Sequence, residues 1–338
     1  MNAFESLLNR RLNPASTWSR ASPAARGVFF ACVTIVIWVS FIIIARASSK
    51  GDLSGLDIAA LRILGASFVL LPLGYWINYK RTLANSAGPL RAASSFWGLS
   101  PLSRALTVQM GLAGGLLYAV FSYSGFFFAP AAHASVLLPG SLPLWTSLIA
   151  WLILSQPLSR QRVMGLLLIL IGDLMVGGPS LLSMFKSESV WRGDMLFILA
   201  SISWSYYTVL VRRHEVKPVY ATTAITVFSF FTFIPLYLIL CYLGLIHTHL
   251  LETPFYSLAF QFFFQGVLSV VVSGITFNQM IRYFGPIRST MITAVVPGLS
   301  AIGAAFILGE SMSINVMIGL GLVTLGIVFG VKRVGFKP

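Results

Sequence analysis

The sequence predicts an all-α polytopic membrane protein: ten transmembrane helices arranged as two inverted five-helix repeats, with both termini in the cytoplasm. Three observations predict it. Of the 338 residues, 57% are hydrophobic and only 9% are charged, whereas soluble domains average about 25% charged residues. Ten apolar runs of spanning length follow one another, and the second five match the first at constant offsets. Lys and Arg collect in alternate loops, the pattern that fixes orientation in a membrane.

Residues 1–27 are polar and basic and lack an apolar core followed by a small-residue cleavage site, so they read as a cytoplasmic segment ahead of an uncleaved first span. The first repeat, residues 28–179, holds apolar runs at about 28–46, 57–78, 105–127, 130–154 and 161–179. A more polar joint, 180–192, opens the stretch SLLSMFKSESVWRGD. The second repeat, 193–331, holds runs at about 193–211, 222–245, 257–281, 287–308 and 314–331, before a cytoplasmic tail, 332–338. These runs must be helices, because lipid offers no partner to backbone N–H and C=O groups and the alternating short strands of a barrel are absent.

Of the 23 Lys and Arg residues, eighteen fall on one side of this topology, from Arg10 and Arg11 through Arg212, Arg213 and Lys217 to Lys337. The other side receives Arg46, Lys50, Lys186 and Arg192, and Arg62 lies within the second span. The basic side is the cytoplasmic one, and it carries both termini. The same distribution argues against nucleic acid as a partner, since the net charge of +14 is spread between apolar runs and not gathered in a patch. Cys32 and Cys241 sit inside apolar runs without CxxC spacing, which supports neither a disulfide framework nor a zinc site.

At an offset of 166, Arg26 meets Arg192 and Trp38 meets Trp204. At an offset of 154, Ser135 meets Ser289, Pro143 meets Pro297, Leu154 meets Leu308, Ser159 meets Ser313, Gly165 meets Gly319 and Gly172 meets Gly326. Constant offsets are the trace of a structural repeat. An odd number of spans per half inverts the second half, and two opposed halves can open a shared site first to one side and then to the other.

The carrying segments are IWVSFIIIARA at 36–46, LDIAALRIL at 56–64, ASVLLPGSLPLWTSLIAWLILSQPLS at 134–159, GDMLFILASISWSYYTVLVRR at 193–213 and VVPGLSAIGAAFILGESMS at 295–313. Their order and spacing resemble the drug/metabolite transporter superfamily, in particular its EamA-type ten-span permeases, over about residues 26–333. Members typically end the fourth and ninth spans in Leu-Gly-Glu, which Leu308, Gly309 and Glu310 reproduce, whereas the first half departs with Leu154, Ser155, Gln156 and Pro157. The resemblance implies export of an amino acid, metabolite or drug through the inner membrane of a bacterial-type cell, from a central site formed by spans one, three, four, six, eight and nine.

Candidate site residues follow from polar or helix-breaking side chains at mid-membrane. Span four contains Pro139, Gly140 and Pro143, and span nine Pro297 and Gly298; these are either packing kinks or matched broken helices lining a cavity. On span eight, at 100° per residue, Gln261, Gln265, Ser269, Thr276 and Gln279 share one arc with Ser273 alongside, a stripe that faces helix partners or a wet cavity. Trp38 and Trp204 lie near mid-span and not in an interfacial belt. With Tyr118, Tyr123 and Tyr207 they form either plain core or an amphipathic wall for a flat solute. His133 is a candidate switch or a hydrogen-bonded structural residue. Arg62 either snorkels or pairs with Asp57, or attracts an anionic group. Asp173 is a carboxylate well inside a span and hence a proton-coupling candidate, although its repeat equivalent is Ile327 and, in the family, spans five and ten lie behind the cavity. Two GxxxG patterns, Gly111 with Gly115 and Gly326 with Gly330, mark close helix contacts within or between chains and leave the oligomeric state open.

HExxH, GxSxG and GxxxxGK[ST] are all absent, which speaks against an intramembrane enzyme and against primary transport by this chain alone. No loop resembles a carbonyl filter or charged ring. The expected partners are therefore a small-molecule substrate, neutral or zwitterionic, and the lipid bilayer, with no cofactor or metal; lipid flipping is the alternative.

Overall fold

The structure is a computed structural model that describes residues 22–48, 51, 53–84, 94–156, 158–183, 189–309 and 312–331. Most of the expected N-terminal segment, part of the joint, the 332–338 tail, Gln156's neighbour Pro157 and Glu310 lie outside them. Among the described residues there are ten long helical elements, one for each apolar run. They are α1 Pro23–Ser48, α2 Gly55–Ala84, α3 Arg104–Phe128, α4 Ala131–Leu154, α5 Arg160–Ser183, α6 Val190–Arg213, α7 Pro218–Tyr242, α8 Phe255–Phe284, α9 Pro286–Leu308 and α10 Ile314–Val331. All but α5 and α10 are long and apolar enough to cross a membrane, and α10 contains the shorter apolar stretch Ile314–Phe329. Large apolar side chains that face away from the core, such as Phe68, Leu152, Leu238, Phe306 and Ile307, are what lipid would cover.

Three helices are interrupted by wider, π-helical turns: α3 at Gly111–Leu117, α4 at Val136–Gly140 and α8 at Phe262–Val272. Such turns need a cause, and they recur at functional sites. In α4 the wide turn contains Pro139, whose ring cannot continue the ordinary ladder. The helix restarts at Leu142 with Pro143 in its first turn. In α9 the break falls at Ala294–Val295, and Pro297 opens the next segment in the same way. Both segments then end on a left-handed cap, Ser155 at φ 50° and Gly309 at φ 65°. The first half's departure from Leu-Gly-Glu therefore keeps the cap geometry, with Ser155 adopting a conformation that Gly309 adopts at lower cost.

Packing is closed under exchange of the halves. Helix α1 packs on α8 as α6 packs on α3, α2 on α8 as α7 on α3, α4 on α6 as α9 on α1, and α5 pairs with its own counterpart α10. A Cβ on Gly172 would lie 2.7 Å from Gly319 O, and one on Gly326 would lie 2.5 Å from Gly165 O. Gly172 and Gly326 are repeat equivalents, as are Gly165 and Gly319, so the two contacts are copies of each other. Because Gly165 sits by Gly326 and Gly172 by Gly319, α5 and α10 run antiparallel, as inverted halves must. The GxxxG pair of α3 is spent inside the chain: a Cβ on Gly111 would meet Phe228 and one on Gly115 would meet Ser229, both on α7.

Candidate functional site

Between the halves lies a cleft of about 430 Å³ of free space. Its α2 wall is Arg62, Ile63 and Ala66, and its α7 wall is Ile225, Thr226 and Ser229. Adding 163 to 62, 63 and 66 gives 225, 226 and 229, so the two walls are repeat equivalents. From α3 come Gly114, Gly115, Tyr118 and Ala119, and from α8 come Ser269, Val270 and Gly274. Adding 155 to 114, 115 and 119 gives those three α8 positions. An independent contact supports both offsets: Gly65 of α2 abuts Gly266 of α8, and their equivalents Phe228 and Gly111 abut each other. The cleft therefore straddles the relation that exchanges the halves, the position expected of an alternating site.

Trp204 closes the cleft and also borders a second space of about 290 Å³ lined by Trp38, Phe41, Ile42, Tyr118, Leu138, Pro139 and Leu142. The wall between the two spaces is the Tyr118–Trp204 ring pair, 4.7 Å between centroids. Trp38 meets Trp204 edge-on at 6.1 Å and donates its indole N–H to Ser273 Oγ at 3.3 Å. Ser273 is the equivalent of Tyr118, so each tryptophan engages the same position of the opposite half. The Trp204 indole nitrogen is buried and has no hydrogen-bond partner.

Matched pairs sit beyond the tryptophans at either end. Towards the α6–α7 loop, Asn278 Nδ2 donates to Tyr207 Oη at 2.7 Å and to Thr222 Oγ1 at 3.2 Å. Towards the α1–α2 loop, the equivalents Phe41 and Tyr123 meet edge-on at 6.0 Å. Tyr123 there donates to Gln265 Oε1 at 2.9 Å, leaving the Gln265 amide nitrogen buried and unpaired. Beyond Asn278 a vestibule of about 720 Å³ is bordered by Arg212, Lys217 and Arg282, with Glu215 among them.

Arg62 resolves the alternatives that its sequence position left open. Asp57 accepts from the Ser54 backbone N–H at 2.9 Å and from the hydroxyls of Tyr237 and Thr248, and is not its partner. Arg62 instead turns into the cleft, 7% exposed, and its Nη1 donates to Ser269 Oγ at 2.8 Å and to Tyr123 Oη at 3.4 Å. Its guanidinium lies over the Phe41 and Tyr123 rings at 5.4 and 5.9 Å.

The predicted α8 stripe is only partly brought together. Ser269 lines the cleft and Gln265 packs behind it against Tyr123, whereas Gln261 donates to Ser48 Oγ at 2.7 Å near the helix end. Thr276 pairs with Thr34 of α1 at 2.8 Å, and Gln279 is half-buried. Asn278, Thr226 and Ser229 are the polar residues that sequence reasoning missed. Thr222, Thr226 and Ser229 recur at i, i+4 and i+7 on α7, so that signal was present. His133 holds Asp194 through Nδ1 at 3.0 Å, tying α4 to α6, and lines none of the three spaces above. Pro297 meets Gly140 at the paired breaks, where a Cβ on Gly140 would lie 3.3 Å from the proline ring and 3.8 Å from Asp173 Oδ1. That carboxylate oxygen is buried without a hydrogen-bond partner, directly behind the break.

The EamA-like transporter family matches the chain over residues 25–178 and 191–331, one copy per half. An uncharacterized transporter of Bacillus subtilis, YyaM, is 27% identical over 62% of this chain and 68% of its own length. An uncharacterized transporter of Archaeoglobus fulgidus is 26% identical over 58% of this chain and 63% of its own. A protein of known crystal structure superposes with a TM-score of 0.57 at 19% identity, covering 90% of this chain and 97% of that one, which is a likeness of fold.

Proposed function

The chain belongs to the EamA-like transporter family, and we propose that it exports a small amino acid, metabolite or drug by alternating access around the cleft between its halves. In this reading all ten helices cross the inner membrane of a bacterial-type cell and both termini are cytoplasmic. The observation that carries it is the matched architecture: walls at equivalent positions, and an equivalent residue pair above and below. Loosening Tyr207–Asn278 while Phe41–Tyr123 stays closed opens the site towards the basic vestibule, and the converse opens it the other way. Arg81 stacks over Tyr220 at 4.4 Å with Lys217 against the same ring, so basic ends of α2 and the α6–α7 loop share that side, in keeping with its being cytoplasmic. Tyr118, Trp204, Gln265 and Ser269 are the proposed substrate contacts, with Trp38, Tyr123 and Tyr207 closing around them. Asp173, behind the α4 break, is the proposed proton carrier.

The test is uptake into liposomes containing the purified protein, with a panel of labelled solutes and with a pH gradient imposed or absent. Saturable flux that is lost on Trp204→Ala or Gln265→Ala supports the reading. Absence of flux for every solute, together with accelerated exchange of a fluorescent lipid between leaflets, replaces it with lipid flipping.

A further inference from the structure

Arg62 is a buried cation with no acid beside it among the described residues. It lines the central cleft, and the two hydrogen bonds it makes go to neutral hydroxyls through the same nitrogen, Nη1. Taking a guanidinium out of water costs more than two hydroxyls and the faces of Phe41 and Tyr123 return, so one without a carboxylate persists where an anion completes it. The repeat sharpens the point. Its equivalent in α7 is Ile225, which occupies the opposite, equivalent wall, so the scaffold itself needs no cation at this position.

The neighbouring unpaired groups point the same way. The Trp204 indole nitrogen and the Gln265 amide nitrogen are both buried donors lacking an acceptor. Among the described residues, no Asp or Glu lines the cleft to take an ammonium group. The vestibule beyond Tyr207 and Asn278 adds three basic side chains against one acidic one. Basic loops follow from membrane topology anyway, but a basic mouth leading to a buried arginine also concentrates anions.

We propose that the cleft binds a small organic monoanion, a carboxylate on an aromatic or branched apolar body, with its head on Arg62 and its body against Tyr118 and Trp204. A single cation sets a single charge. This rests on the transport reading and deepens it, replacing a neutral or zwitterionic solute by a net anion.

The test uses three probes that share a ring and differ in charge: 3-phenylpropionate, phenylalanine and phenethylamine. Binding to the protein in nanodiscs is followed by quenching of tryptophan fluorescence, and transport by counterflow in liposomes. The expected result is 3-phenylpropionate binding at least about tenfold tighter than phenylalanine, with phenethylamine weakest. Arg62→Gln is expected to weaken the anion by about 30-fold or more, the loss typical of deleting one partner of a buried charged hydrogen bond. Arg62→Lys keeps a charge without the planar fork and is expected to fall between. Equal or tighter binding of phenylalanine or phenethylamine by the unaltered protein overturns the proposal without any variant having to fold. Anion binding without counterflow would refute transport while upholding the site, and counterflow of the zwitterion or amine alone would do the reverse.

Discussion

Replacing Tyr207 by Phe removes one hydroxyl from the closure on the vestibule side and changes little else, because the ring stays packed against Trp204 at 5.1 Å. What is lost is the 2.7 Å bond from Asn278. The 3.2 Å bond from Asn278 to Thr222 remains. Side-chain hydrogen bonds between membrane helices are worth about 0.6 kcal/mol on average and up to about 1.7. If the bond exists in the closed arrangement and not in the open one, Tyr207→Phe raises the open population by about 3- to 16-fold, at about 1.4 kcal/mol per factor of ten. The readout is the rate at which a membrane-impermeant thiol reagent modifies Thr226→Cys, a cleft position whose hydroxyl has no partner to lose. Cys32 and Cys241 are first changed to Ser so that only the cleft thiol reacts. Modification from the vestibule side should accelerate by that factor, and modification from the α1–α2 side should not. Phe41→Leu, at the position equivalent to Tyr207, should do the opposite, since it breaks the edge-on contact with Tyr123. Unchanged rates in both variants, or acceleration from the wrong side, would refute the assignment of these pairs as alternating closures.

Further outcomes follow from the same contacts. A Cβ at Gly172 meets backbone at 2.7 Å, and one at Gly326 meets backbone at 2.5 Å, so Gly172→Ala and Gly326→Ala should each cost about 1–3 kcal/mol through overpacking. Similar falls in melting temperature in detergent would bear this out, and a fall in only one would break the equivalence. His133→Ala should destabilise by about 1–3 kcal/mol, because buried Asp194 loses a partner, while solute affinity stays unchanged; a loss of affinity in the folded variant would put His133 at the site. Asp173→Asn should abolish stimulation of flux by a pH gradient but preserve counterflow, and persistence of the stimulation would make Asp173 structural.

The architecture was legible because a membrane writes it into composition, and because Pro143, Pro297 and the matched glycines are too specific to recur at fixed offsets without a repeat. Mid-span placement likewise singled out Trp38 and Trp204, since an indole away from the interface needs a reason. The α8 stripe converges only in part for a physical reason. Its arc assumes a uniform turn, but the wide turns over Phe262–Val272 place more residues in each revolution, so phase slips beyond Ser269. Asn278 thereby faces Tyr207, while its neighbour Gln279 points partly outward. No local pattern marks that slip. Arg62 was equally opaque, because whether Asp57 pairs with it depends on Tyr237 and Thr248, residues far along the chain that claim the carboxylate first.

A twofold-related scaffold explains motion but not selectivity, since what the halves share is backbone and packing. Selectivity must come from positions where the halves disagree. Along the cleft every equivalent pair differs: Arg62 against Ile225, Ile63 against Thr226, Ala66 against Ser229, Gly114 against Ser269, Gly115 against Val270 and Ala119 against Gly274, with Tyr118 against Ser273 beside them. The first of these is the only exchange that introduces a charge. The Tyr118 exchange places an aromatic face beside Trp204. Residues of the closures above and below the cleft should therefore alter rates of opening when changed, and those that line it should alter which solute binds. Tyr207→Phe and Arg62→Gln separate these two effects, the first shifting accessibility with the order of solute preference intact, the second inverting that order while accessibility holds.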